Sequence, residues 1–136
     1  MVERYRVVRD ALRIAIGPMP GLELVAEASN ASEAVALAIE EEPEVILLDV
    51  DWPSLDGLAA AVPLRQAVPE ALIVMYSSDP EFETHGAGFD AAAVAISAGA
   101  DAYLTARATL GEMVAALYAA PSSSRCQREF AEELVG

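Results

Sequence analysis

The chain has 136 residues with 22 acidic and 8 basic side chains, which give a formal net charge of −14. This length fits one domain, and the acidic surplus disfavours direct binding to nucleic acid or anionic lipid. All eight basic residues are arginines, so functions that need a lysine amine are excluded, and the single cysteine cannot form an internal disulfide.

The first third of the chain predicts a helix, a strand and a second helix. Apolar residues at helical spacing over 5–16 predict a surface helix, and GPMPG (17–21) ends it. LELVAEA (22–28) predicts a strand. Asn30 followed by Glu33 resembles a capping box at the start of the next helix, which Pro43 ends. We expect Ala34, Val35, Ala38 and Ile39 to face inward.

The middle of the chain contains two continuous apolar runs, which are typical of strands covered on both faces. EVILLDV (44–50) is the first, and a helix from about Gly57 to Gln66, which Pro63 should kink, follows it. ALIVMYSS (71–78) is the second, and it ends on hydroxyl side chains. A parallel strand pair with helical crossovers is therefore expected here.

The last third predicts a helix over about 91–98, stopped by Gly99, and then a short strand, DAYLT (101–105). Thr109 with Glu112 opens a final helix. We expect one domain over residues 1–120 and a linker-like tail over 121–136. The alternation predicts an α/β fold, a three-layer, doubly wound parallel sheet.

Polar side chains close three of the predicted strands: Asp49, then Ser77 with Ser78, then Thr105. The carboxyl ends of parallel strands share one edge of a sheet, where open α/β folds keep their chemistry. A carboxylate there can accept a phosphoryl group, and a neighbouring hydroxyl can hydrogen-bond a phosphoryl oxygen. A purely structural role is about equally compatible with this pattern alone.

The order of these motifs resembles the receiver domain of two-component response regulators, of the kind that precedes LuxR-like helix-turn-helix output domains. ILLDVDWPSLDG (46–57), IVMYSS (73–78) and AGADAYL (98–104) carry the resemblance. It implies a flavodoxin-like fold, Asp49 as phosphoacceptor, and Ser77 and Tyr103 as switch residues. It also implies Mg²⁺ held by Asp49, by the backbone carbonyl of Asp51 and by Glu3.

Three departures from the family pattern point to an atypical receiver. The family's acidic pair falls on Glu3 and Arg4, with only two residues before it, so the first, central strand is expected to be missing or replaced. A partner's segment, direct pairing of its neighbours or residues upstream would have to fill the gap. Arg4 disfavours Mg²⁺, so we expect Mg²⁺ binding to be weak or absent.

The other two departures lie near the end of the predicted site. The family's phosphate-pairing lysine falls on Ala106, and Arg107 beside it points to the opposite face of a strand. An insertion of about seven residues follows Ser77 and contains His85, most simply read as a solvated histidine. The family's lysine and part of its acidic pair are replaced, whereas the apolar pattern is intact. This combination favours a module that signals by protein contact, with phosphorylation of Asp49 as the less favoured input.

The expected partners are a sensor histidine kinase or another signalling protein. A homodimer is also expected, either by strand exchange or through the surface of the family's fourth helix, fifth strand and fifth helix. We expect no nucleic acid or membrane partner and a cytoplasmic location. The alternative is a haloacid-dehalogenase-like phosphohydrolase with Asp49 as nucleophile and Asp51 as general acid. The chain lacks that family's lysine and later acidic pair.

Overall fold

The computed structural model describes residues 1–50, 56–77, 90–105 and 108–118. Helices and strands alternate over much of this range. In chain order they are α1 (Arg6–Ile16), α2 (Ala31–Glu41), β1 (Val45–Asp49), α3 (Asp56–Ala67), β2 (Leu72–Tyr76), α4 (Ala91–Ser97), β3 (Ala102–Leu104) and α5 (Leu110–Leu117). The elements agree with the predicted alternation, with one exception before α2.

The three strands form a parallel sheet in the order β1-β2-β3. Because successive residues of a strand point to opposite faces, each strand contributes to two cores. Ile46, Leu48, Ile73 and Met75 pack against α2, α3 and α4, and we call this side the α2–α4 face. Leu47, Val74 and Tyr76 pack against α1 and α5 on the other side, the α1–α5 face. The three-layer, doubly wound, flavodoxin-like architecture is therefore confirmed.

Residues Met1–Glu3, here called the N-terminal segment, lie between Ala28 and β1 in the sheet. The amide of Val2 donates to the carbonyl of Leu47 at 2.8 Å, and its carbonyl accepts from the amide of Asp49 at 2.9 Å. On the other side, the amide of Glu3 donates to Ala28 at 2.9 Å, and Ala28 donates to Met1 at 2.9 Å. The expected loss of the first strand is thus only partial, since the chain itself fills the gap with a very short segment.

The predicted strand over 22–28 is wrong for most of its length. Only Ala28 makes a bridge, to Val2, and residues 22–27 have no regular strand structure. A strand needs a neighbour to satisfy its backbone groups, and the N-terminal segment is too short to pair with more than the end of this stretch. Because the N-terminal segment is this short, the stretch over 22–27 has no neighbour for regular pairing.

A cavity lies beside the N-terminal segment, where the pairing stops. Its volume is about 70 Å³, and Met1, Leu24, Ala26, Val45 and Leu64 are among the residues that line it. It separates the stretch over 22–27 from the start of β1. The short segment thus leaves the sheet incompletely filled on this side.

The helix ends follow the local sequence signals. The Asn30 side chain accepts from the amide of Glu33 at 2.9 Å, and the Thr109 hydroxyl accepts from the amide of Glu112 at 3.1 Å. Gly99 follows α4 with φ 115°, a conformation that favours glycine. These caps place the ends of the helices around the sheet and confirm the predicted starts of α2 and α5.

Candidate functional site

The carboxyl ends of β1 and β2 bring a carboxylate and a hydroxyl to one edge of the sheet. Asp49 ends β1 in register with Tyr76, the last residue of β2, and Ser77 follows directly. The amide of Val50 donates to the carbonyl of Tyr76 at 2.7 Å, so the two strand ends stay paired. Asp49 is 5% exposed and Ser77 1%. The structure thus places both residues where the sequence predicted.

Glu3 of the N-terminal segment is a buried carboxylate at the same end of the sheet. It is 1% exposed. Its Oε1 accepts from the backbone amide of Tyr5 at 2.8 Å, and its Oε2 accepts from the hydroxyl of Tyr76. Because each carboxylate oxygen has a donor, the carboxylate can be buried at an acceptable cost.

Arg9 of α1 supports the backbone that carries Glu3. Its Nη1 donates to the carbonyl of Glu3 at 2.8 Å and to the carbonyl of Arg4 at 3.1 Å. These bonds tie the N-terminal segment to the first helix. They fix where the Glu3 side chain enters the sheet edge.

The Tyr76 ring packs in the apolar core of the α1–α5 face, and its hydroxyl reaches the buried carboxylate of Glu3. Burial raises the pKa of Tyr76 well above its usual value, and the charge of Glu3, the hydrogen bond to it and the charge of Asp49 act in the same direction. The hydroxyl therefore stays protonated at neutral pH and acts as a donor. Sequence reasoning missed this residue, although a tyrosine in the apolar run LIVMY was the available signal.

The structure places Tyr103, the second predicted switch residue, in β3. It pairs with Met75 of β2, is half-buried and packs against the α2–α4 face. Thr105 follows β3 and is exposed. Several residues named from the sequence lie outside the described ranges, namely Asp51, Trp52, Ser78, His85, Ala106 and Arg107.

The described residues fit a Mg²⁺ ion poorly. Mg²⁺ requires oxygen ligands in near-octahedral geometry, and both oxygens of Glu3 already accept hydrogen bonds. Arg4, a cation, follows at the position where the family pattern has its second acid. In the described part of the chain no group of three histidine, cysteine or acidic residues could hold a metal ion.

The doubly wound parallel sheet, with a buried aspartate and a serine at adjacent strand ends, agrees with a receiver-like α/β fold. Residues 1–118 match the family model described as the response regulator receiver domain. The chain belongs to this family, and it is a receiver domain of two-component signalling. The family match gives no support to the phosphohydrolase alternative.

Relatives of known sequence agree with the predicted subfamily. The chain is 31% identical over 120 residues to the response regulator GacA of Pseudomonas viridiflava, covering 86% of this chain and 51% of that protein. It is 29% identical over 104 residues to the nitrate/nitrite response regulator NarL of Escherichia coli K12, covering 76% of this chain and 45% of that protein. The chain spans about half the length of these relatives.

Solved structures show the same fold. A LuxR-family two-component response regulator from Aurantimonas sp. is 30% identical with a TM-score of 0.71, covering 99% of this chain and 95% of that one. A response regulator from Burkholderia pseudomallei, solved with a phosphorylated aspartic acid, calcium and citrate, is 26% identical with a TM-score of 0.68. The match covers 98% of this chain and 71% of that one.

None of the helices in the described ranges is both long and apolar enough to cross a bilayer.

Proposed function

We propose that the chain is an atypical receiver that transmits its signal through protein–protein contacts rather than through Mg²⁺-dependent phosphorylation. The observation that carries this proposal is the state of Glu3, whose two carboxylate oxygens already accept from Tyr5 and Tyr76. The fold around the site is complete enough to present a binding surface. Signalling by contact requires that surface but no cation.

Asp49 is the candidate phosphoacceptor of the proposed site. In such a transfer a carboxylate oxygen attacks phosphorus, the bond from phosphorus to the donor breaks, and an acyl phosphate forms. Both the carboxylate and the phosphoryl group are negatively charged, so the transfer depends on a cation that neutralises the transferring group. The described residues fit such a cation poorly, and we expect no measurable transfer to Asp49.

Ser77 and Tyr103 are the proposed switch residues. The Ser77 hydroxyl, one residue beyond the partner of Asp49 in the sheet, is placed to hydrogen-bond an oxygen of a group held on Asp49. Tyr103 lies on the neighbouring strand β3, and a change of its rotamer would alter the outer surface there. This arrangement supports a path from the sheet edge to a surface formed by α4, β3 and α5.

The proposed partner is a sensor histidine kinase or another signalling protein, and a second copy of the chain is the alternative at the same surface. Ile96 on α4 is about half exposed and gives this surface an apolar contact point. We propose that the chain acts in the cytoplasm and has no enzymatic activity of its own.

Intact mass spectrometry tests the proposal. The chain and a receiver domain that retains its acidic pair are incubated with a small-molecule phosphodonor and millimolar Mg²⁺, and Asp49→Asn serves as the site control. We expect the reference domain to gain one phosphoryl group and this chain to gain none. Phosphorylation of the chain that is lost in Asp49→Asn would contradict the proposal.

A further inference from the structure

We propose that Tyr76 excludes divalent cations from the sheet edge around Asp49, by holding the Glu3 carboxylate that a cation would need. This inference rests on the proposed function and deepens it, because it names the residue that sets the cation affinity of the site. Tyr76 is then a positioning residue, since it acts through Glu3.

The path of the Tyr76 side chain carries the inference. Tyr76 belongs to β2, whereas Glu3 belongs to the N-terminal segment on the opposite side of β1. Neighbouring strands lie about 4.8 Å apart, so the Tyr76–Glu3 hydrogen bond has to span the end of β1. Asp49 is the residue at that end, in register with Tyr76. The bond therefore runs past the end of β1, which Asp49 occupies.

A cation that displaces the Tyr76–Glu3 hydrogen bond removes it from both the hydroxyl and the carboxylate, which is energetically unfavourable for both groups. Tyr76 is fully buried, and its ring packs in the core of the α1–α5 face. A buried hydroxyl that loses its acceptor is destabilising, and bonds to a charged acceptor are stronger than neutral ones. A cation must compete with this donor for Glu3.

Phenylalanine at position 76 would remove the competitor and keep the ring. In Tyr76→Phe the Oε2 of Glu3 loses the hydrogen bond from the Tyr76 hydroxyl, so a cation no longer competes with that donor. Because a hydrogen bond to a charged group contributes more than a neutral one, we expect divalent cations to bind about tenfold more tightly or better.

The chain offers a matched control in Tyr118, which belongs to the same core. Its ring is buried on the α1–α5 face, and its hydroxyl donates to the carbonyl of Pro20 at 2.6 Å, a backbone acceptor rather than a carboxylate. Tyr118→Phe removes one hydroxyl from the same core and leaves Glu3 unchanged. It therefore controls for any general loosening of the fold.

Titration with Mn²⁺, followed by electron paramagnetic resonance of the free ion, tests the inference in the full chain. Wild type, Tyr76→Phe, Tyr118→Phe and the double variant Tyr76→Phe/Asp49→Asn are compared at fixed ionic strength. Circular dichroism checks that each variant is folded. The double variant separates binding at Asp49 from weak association with other acidic side chains.

We expect tighter Mn²⁺ binding in Tyr76→Phe alone, with the gain lost in the double variant. Equal affinities in wild type and Tyr76→Phe, or the same gain in Tyr118→Phe, would overturn the role of Tyr76. Should Tyr76→Phe not fold, Glu3→Gln provides the second test. It must leave the weak wild-type affinity unchanged, and a clear loss would show that Glu3 already binds the ion.

The same samples separate this inference from the proposed function. Phosphorylation of the wild-type chain in Mg²⁺ contradicts signalling without phosphorylation, whatever Tyr76→Phe does. Unchanged Mn²⁺ affinity in Tyr76→Phe contradicts only the role assigned to Tyr76.

Discussion

Replacing Val2 by proline tests whether the backbone pairing of the N-terminal segment with β1 stabilises the sheet. Proline has no N–H, so Val2→Pro removes the 2.8 Å bond to Leu47 and leaves a buried carbonyl without that donor. The orphaned carbonyl costs about 1–3 kcal/mol, and a shift of the segment weakens the neighbouring bond from Asp49 as well. We expect a total loss of about 2–4 kcal/mol, a large share of the stability of a domain of this size.

Urea unfolding followed by circular dichroism measures this loss, which corresponds to a midpoint lowered by about 1–2 M. Arg6→Pro is the matched control, since position 6 begins α1 and follows Tyr5, which is extended with φ −86° and ψ 121°. Proline is tolerated at a first helical position after an extended residue, so Arg6→Pro should leave the midpoint nearly unchanged. Equal midpoints for Val2→Pro and Arg6→Pro would refute the placement of the segment between Ala28 and β1.

Three further predictions concern stability. Asp101→Ala should cost about 1–2 kcal/mol, because its Oδ2 accepts from the amide of Ile73 at 2.8 Å and from Arg65 at 2.6 Å in a partly exposed setting. Leu48→Ala should cost about 2–5 kcal/mol, since Leu48 is fully buried on the α2–α4 face. Burial lowers the pKa of the Met1 ammonium from 8.0 to about 6, so the unfolded chain binds more protons between these values and stability should rise by about 2 kcal/mol from pH 6 to pH 8.

Each of these has its own control. Asp10→Ala breaks only exposed contacts with arginines, and Ile14→Ala truncates a side chain that is 75% exposed; both should change stability by less than about 1 kcal/mol. If Asp101→Ala and Leu48→Ala lowered the free energy of unfolding no more than Asp10→Ala and Ile14→Ala do, the contacts assigned to Asp101 and Leu48 would be contradicted. An acetylated N-terminus should abolish the pH-dependent gain, and an unchanged gain would assign it to another group.

The regular part of the fold could be predicted from the sequence because its signals are local. The apolar runs over 45–49 and 72–76 have the length and composition of doubly covered strands, and both are strands of the sheet. The caps at Asn30 and Thr109 follow from short side chains that satisfy free amides of the next turn. Such features need no knowledge of distant parts of the chain.

The parts that were missed depend on distant contacts. A segment of three residues has no periodicity to read, and only its position between Ala28 and β1 allows Val2 to bridge both neighbours. The stretch over 22–27 has a strand-like pattern but no partner of sufficient length. Ile39 is 62% exposed although its spacing predicted an inward face, whereas Ala34 and Ala38 face the core as predicted.

The placement of the site was predictable, whereas its chemical state was not. Asp49 and Ser77 could be assigned to one edge because parallel strands end together. The Tyr76–Glu3 bond joins residues 73 positions apart and crosses β1, and no local pattern indicates it. The roles of Asp49, Asp51 and Glu3 as ligands, and of Ser77 and Tyr103 as switches, stay predictions.

The most direct measurement on the central claim uses Trp52, the sole tryptophan, three residues after Asp49 in the sequence. Its fluorescence is followed while Mg²⁺ and then beryllium fluoride, a mimic of the phosphoryl group, are added to the wild-type chain and to Asp49→Ala. A Glu3 carboxylate already held by Tyr76 predicts no saturable change at millimolar Mg²⁺ in either protein. A saturable change in wild type that is absent in Asp49→Ala would contradict it and show a working phosphoacceptor site.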